Sequence, residues 1–279
     1  MAVEESGKPG FRSWLGTLPE AISAARAEWD LTVGPPFEPG GQCAWVAPAL
    51  DPNGQRLALK VGWRHAEAEY EPEALAAWGG RGTAKLVDYR RLTTSNVLLL
   101  ERCEPGGSLS TQLPEPERDG PIAELLLKLW ATSPAGVDFT DLTAMCDRWA
   151  SEVEAAENPD VDRGLVSEAV ILLRALPRDS TVRVLLFTDL HGDNVLSAQR
   201  SPWLAIDPKP HIGDPAFDVV QHIGTSYSRM QTDPAALVRK MAALTDVDAH
   251  RVRLWLFCRA VQERPGKPWL QQAINELAP

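Results

Sequence analysis

The stretch that decides the fold is Asp189-Leu190-His191-Gly192-Asp193-Asn194, which runs through Val195-Leu196 and, after a turn, into Trp203-Leu204-Ala205-Ile206-Asp207. Two apolar strands are joined by the short turn Ala198-Gln199-Arg200-Ser201-Pro202 and flanked by polar ends. Asn194 and Asp207 lie symmetrically about Arg200-Ser201, so a hairpin would bring them to its open end, with Asp189 one loop further back. A carboxylate, an amide oxygen and a second carboxylate at one mouth suit phosphoryl transfer from a metal-bound nucleotide. That chemistry needs a base near the acceptor hydroxyl and oxygen ligands for magnesium.

The pattern Asp189-x-x-x-x-Asn194 followed by Ile206-Asp207 resembles the catalytic loop of the aminoglycoside phosphotransferase family, small-molecule kinases with a protein-kinase-like fold. The tail from Asp207-Pro208-Lys209 through His211 to Asp214-Pro215-Ala216-Phe217-Asp218 resembles the branch that phosphorylates streptomycin, with hydroxyurea kinases in the same group. The likeness runs from about residue 35 to about residue 230. It implies an α+β, two-lobed fold: residues 1–103 a small antiparallel-sheet N-lobe that covers the nucleotide, residues 104–279 a larger helical C-lobe with the catalytic loop and acceptor site. It also implies that Asp189 is the base, that Asn194 and Asp207 ligate Mg2+, and that Lys60 in Leu57-Ala58-Leu59-Lys60-Val61 pairs the phosphates of ATP or GTP. Lys60 then needs a glutamate; among Glu67, Glu69, Glu71 and Glu73 the family pattern best fits Glu71. Residues near Glu101 to Cys103 correspond to the adenine-binding segment. The sequence departs from the family where His-Gly usually precedes the base, since Phe187-Thr188 stands there.

Read without the resemblance, several of these residues have plainer roles. Lys60 could be an outward-facing strand lysine, Asn194 and Asp207 strand-end caps, and Leu98 to Cys103 simply a core strand. Gly40 and Gly41 in Pro39-Gly40-Gly41-Gln42 are candidates for a nucleotide-covering turn or for an ordinary one. Asp193 reads as a loop residue, and Asp214-Pro215 as an N-cap followed by a first-turn proline. Lys209 and His211 could reach phosphate or substrate, or lie on the surface.

The totals set outer bounds. At 279 residues, with 44% hydrophobic and 24% charged, the chain can bury a sizeable core. A formal charge of -10 argues against a nucleic-acid partner and favours a cationic small molecule. Cys43, Cys103, Cys146 and Cys258 have neither metal-ligand nor redox spacing. Met1 to Ser6 lacks a basic start and an apolar core, and no apolar run is long enough to span a bilayer, so a cytoplasmic protein with no membrane partner is expected. There is no Walker A motif.

Along the chain, residues 18–29 read as a helix. Gln42–Ala49 and Arg56–Trp63 read as strands about the turn Asp51-Pro52-Asn53-Gly54. Residues 65–78 read as a helix with a defect at Pro72, and Ala84–Tyr89 and Asn96–Arg102 as two more strands. Helical patterns follow at about 119–131, 141–156, 161–176, 216–230, 234–243, 247–263 and 268–277, and Leu113–Pro121 reads as a solvated loop. The expected function is an ATP-dependent O-phosphotransferase acting on a hydroxyl of an antibiotic, foremost an aminoglycoside of the streptomycin type, with hydroxyurea or a nucleoside antibiotic as alternatives. A metal-dependent hydrolase using Asp189-x-His191-x-Asp193, and a non-catalytic kinase-like binder, are the competing classes.

Overall fold

The computed structural model describes residues 10–38, 40–133, 136–156 and 161–279; the Met1 to Ser6 segment read for a leader, and Pro39 of the Gly-Gly turn, lie outside the described residues. The chain divides into two compact units, one of residues 1–106 and 196–209, the other of residues 107–195 and 210–279.

The first unit is built on a five-stranded antiparallel sheet in the order β1-β2-β3-β5-β4: β1 (Thr32–Val33), β2 (Ala44–Leu50), β3 (Arg56–Trp63), β4 (Leu86–Arg91) and β5 (Ser95–Glu101). The β2–β3 turn is made by Asp51, whose Oδ1 accepts from the amides of Asn53 and Gln55 at 2.9 and 2.7 Å. In β3 the two-residue period sends Leu57, Leu59, Val61 and Trp63 into a core roofed by Phe11, Trp14, Leu18, Ala21 and Ala25 of α1 (Phe11–Glu28). Lys60, on the alternate positions, therefore lies on the other face, opposite Val46 and Leu98 in the ladder. Residues 196–209 join this unit through the β7 (Val195–Ser197) and β8 (Trp203–Ala205) hairpin, where Ala84 N–H donates to Ala205 O at 3.0 Å and Ala205 N–H to Gly82 O at 2.8 Å.

The second unit is mainly helical: α3 (Leu109–Gln112), α4 (Asp119–Trp130), α5 (Leu142–Ala155), α6 (Arg163–Asp179), α7 (Pro215–Gly224), α8 (Tyr227–Thr232), α9 (Pro234–Thr245), α10 (Ala249–Glu263) and α11 (Leu270–Leu277). Asp141, Asp162, Asp214, Asp233 and Asp248 each cap a helix N-terminus through the side chain. Phe217, fully buried, packs edge-on against Trp255 at 5.1 Å at the centre of the unit.

Several elements differ from the sequence expectation. Helix α1 starts at Phe11 rather than residue 18, because Phe11 and Trp14 supply its buried face. Helix α2 (Glu71–Trp78) starts at Glu71 rather than residue 65: Pro72 lacks an amide hydrogen and its ring blocks a preceding helical turn. The expected helix 216–230 is two, α7 and α8, with Ser226 leaving helical geometry at φ -88°, ψ 61°. Leu113–Pro121 is not a solvated loop: it holds a 3-10 turn at Glu115–Glu117 and the start of α4, and Asp119 is fully buried. A short antiparallel pair, β6 (Val184–Leu186) with β9 (His211–Gly213), buries His211.

Candidate active site

In the first unit, Lys60 and Glu71 are both buried, and Lys60 Nζ donates to Glu71 Oε1 at 2.6 Å. The first turn of α2 delivers Glu71 to the side of the sheet that Lys60 occupies. The neighbouring glutamates are engaged elsewhere, Glu69 with Arg64 and Glu73 with Arg91. Lys60 Nζ also donates to Asp207 Oδ1 at 2.5 Å. Burial alone would discharge Lys60, but Asp207 and Glu71 outweigh that and push the ammonium above its ordinary value. Desolvation moves Glu71 up to about 6, against the pull of Lys60. Asp207 is the half-exposed member: desolvation raises its carboxyl, and Lys60 overrides this and holds it below the ordinary value. Its backbone sits in the left-handed region at φ 62°, a conformation that aspartate tolerates better than most residues. Lys209 is half-buried and adds positive charge toward Asp207 and Glu71.

The remaining nucleotide candidates sit at the edges of the same unit. Gly40 and Gly41 lie exposed in the β1–β2 connection, and a Cβ on Gly41 would stand 3.2 Å from Ala44 O. Glu101 ends β5, with its side chain tied to Arg200: the guanidinium donates to it from Nε at 2.9 Å and Nη2 at 2.8 Å, and also to the carbonyls of Gly80 and Thr83 at 2.8 Å. Cys103 is half-buried, and desolvation pushes its thiol up to about 12. The Arg200 clamp is invisible in sequence, where Arg200 is only the middle of a turn.

In the second unit, β6 leads directly into the loop that carries Asp189. Asp218, one turn into α7, reaches back and accepts from Phe187 N–H at 2.9 Å, Thr188 N–H at 2.7 Å and Trp130 Nε1–H at 2.9 Å. This carboxylate braces the loop at Phe187-Thr188, where the sequence departs from the resembled pattern. The loop still makes the turn glycine would favour: Thr188 adopts φ 58°, which strains a β-branched residue. Asp218 is fully buried, and desolvation raises it from 3.8 to about 6 despite its three donors. Asp189 is partly exposed and accepts from Asn194 Nδ2, which donates to its main-chain carbonyl at 2.9 Å and to Oδ2 at 3.3 Å. That commits the amide nitrogen of Asn194 to Asp189, so the side-chain oxygen is its remaining hydrogen-bonding group. An amide oxygen here and a carboxylate at Asp207 are hard donors of the type Mg2+ takes. Asp193 is largely exposed and accepts from Ser110 Oγ. Among the described residues, no three or more His, Cys, Asp or Glu side chains gather as a ligand set.

The model for the family described as aminoglycoside/hydroxyurea antibiotic resistance kinase matches residues 31–264. The chain belongs to this family. It is therefore a small-molecule kinase of the group that inactivates antibiotics. It is 32% identical to streptomycin 6-kinase of Streptomyces griseus, across 100% of this chain and 91% of that protein. It is 31% identical to hydroxyurea phosphotransferase of Kitasatospora aureofaciens, across 92% of this chain and 75% of that protein. Among solved structures it is similar to an aminoglycoside phosphotransferase of Streptomyces rimosus in complex with ADP and streptomycin (TM-score 0.56, 17% identity, 88% of this chain and 98% of that one). It is also similar to a choline/ethanolamine kinase family protein of Mesorhizobium loti (TM-score 0.61, 16% identity, 92% and 93%). These structures establish the protein-kinase-like fold. Among the described residues, no helix is long and apolar enough to cross a membrane.

Proposed function

We propose that this kinase transfers the γ-phosphoryl group of ATP, or of GTP, to a hydroxyl of a streptomycin-type aminoglycoside. The observation that carries the nucleotide half is the buried Lys60–Glu71 pair with Asp207 on the same ammonium. Lys60, kept charged and anchored, holds the α- and β-phosphates. Asp207 and the side-chain oxygen of Asn194 would hold Mg2+, which when bound would neutralise phosphate charge. Gly40, Gly41 and the backbone from Glu101 to Cys103 cover the nucleotide. Asp189 orients the acceptor hydroxyl and takes its proton as the acceptor oxygen bonds to the γ-phosphorus and the bond to the β-bridging oxygen breaks, releasing ADP.

Streptomycin is favoured by the full-length similarity to a streptomycin 6-kinase and by the formal charge of -10, which attracts a polycationic acceptor. Hydroxyurea is the second reading, favoured by the similarity to a hydroxyurea phosphotransferase. The test is ADP release with Mg-ATP across streptomycin, other aminoglycosides, hydroxyurea and nucleoside antibiotics, with Asp189→Ala as the control. Release that depends on streptomycin and is lost in the control supports the proposal. Nucleotide binding without acceptor-dependent release from any of them overturns it.

A further inference from the structure

His191 lies between the two residues that define the catalytic loop, and none of the roles above uses it. Its Nδ1 accepts from the main-chain N–H of Asp193 at 3.3 Å. Its Nε2 lies 3.2 Å from Asn194 Nδ2 and 3.8 Å from Asp189 Oδ1. The two main-chain groups at this corner cannot turn over, and they orient the side chains around them. The Asp193 N–H can only donate, and its hydrogen bond to Nδ1 is made when Nδ1 is the bare nitrogen of the ring and the proton lies on Nε2; Asp193 Oδ2 lies 3.8 Å from the same Nδ1. The Asp189 carbonyl is an acceptor held at 2.9 Å by Asn194 Nδ2, so that amide keeps its nitrogen facing inward. In that tautomer Nε2–H and Nδ2–H, 3.2 Å apart, are both donors; the other tautomer would let Nε2 accept from Nδ2 and would give up the Asp193 N–H contact. The Asp189 carboxylate, on the same side of the ring, is the acceptor that Nε2–H can use.

We propose that His191 is a positioning residue for the base: the Asp193 amide locks its tautomer, and its Nε2–H steers the Asp189 carboxylate. The contact closes from 3.8 Å to hydrogen-bond length when acceptor and nucleotide bind, as catalytic contacts commonly tighten in the reacting complex. His191 thereby selects one carboxylate rotamer, in which Oδ2, which also accepts from Asn194 Nδ2 at 3.3 Å, is the oxygen that takes the proton of the acceptor hydroxyl. Asp193 is tied to Ser110, which anchors the far end of this relay. The inference rests on the assignment of Asp189 as base.

Two isosteric substitutions separate the two ring nitrogens. The side-chain oxygen of His191→Asn stands where Nδ1 is and keeps the Asp193 contact, but nothing replaces Nε2–H. The longer amide of His191→Gln places an N–H donor near the Nε2 position and gives up the Nδ1 contact. Expected are a kcat roughly ten- to hundredfold lower for His191→Ala and His191→Asn, an unchanged KM for ATP, and a substantial return of kcat in His191→Gln. Ring 15N NMR of the wild-type protein should show the Nε2–H tautomer, a readout that needs no turnover and no well-folded variant. An Nδ1–H ring, an Asn variant as active as the Gln variant, or an unchanged kcat in His191→Ala would each overturn the proposal. The failure of the underlying function looks different: wild type releases no ADP with any acceptor, while the tautomer still reports on the geometry.

Discussion

Asp218→Asn tests the reasoning most directly, because two opposing effects of known sign meet at one buried carboxylate. Oδ1 of Asp218 accepts from Thr188 N–H, and Oδ2 from Phe187 N–H and Trp130 Nε1–H. An asparagine whose oxygen keeps the latter pair points its own N–H2 at Thr188 N–H, leaving a buried donor unmet at a cost of about 1–3 kcal/mol. Against this, the carboxyl rises on folding from 3.8 to about 6, so holding it ionised above pH 7 costs the native protein ~3 kcal/mol, which asparagine avoids. Near pH 7.5 the variant should therefore lie within about 2 kcal/mol of wild type. The pH dependence sharpens the test. A carboxyl raised on folding binds its proton more tightly in the native state, so its contribution grows as pH falls through 6 and is complete below the unfolded value of 3.8. Between about pH 7.5 and about pH 5 this gives wild type ~1.4 kcal/mol that asparagine cannot gain. Urea unfolding of both proteins at the two pH values measures it, with the other titrating groups common to both. A stability difference that stays constant, or that moves toward the variant rather than toward wild type at pH 5, would refute the assignment of a buried, proton-binding brace.

The other predictions are simpler. Asp189→Ala should abolish transfer and leave nucleotide affinity largely intact, whereas Lys60→Ala should weaken ATP binding as well; calorimetry with ATP beside steady-state kinetics separates the two. Arg200→Ala removes the donors that hold Glu101 and two carbonyls and should cost about 2–3 kcal/mol in urea unfolding; a loss below 0.5 kcal/mol would show the clamp to be ornamental. Gly213→Ala would press a Cβ to 2.7 Å from Leu142 Cβ and 2.8 Å from its Cδ2, so a loss of about 1–3 kcal/mol and a lower Tm are expected.

Local order was largely legible in the sequence. The Asp51-Pro52-Asn53-Gly54 turn, the β3 strand about Lys60, the Asp214-Pro215 cap and the hairpin 195–205 all follow from short-range rules of turn chemistry, side-chain period and capping, and the structure carries each of them. So did the family, because the spacing of Asp189, Asn194 and Asp207 is a linear pattern. What the sequence could not settle were partnerships between residues distant along the chain. It offered four glutamates for Lys60, and the strand's alternation with the start of α2 at Glu71, just before Pro72, singles out Glu71. It showed Phe187-Thr188 as a departure, while only packing brings Asp218 to their amides. It presented Asp119 as part of a polar, solvated loop. The fold surrounds that buried carboxylate with His222, Arg229 and Lys240, each within 2.7 Å. Local propensity acts over a few residues and is written in the order of the chain. A buried charge is tolerable only where remote partners converge on it, and that convergence exists only in the tertiary structure.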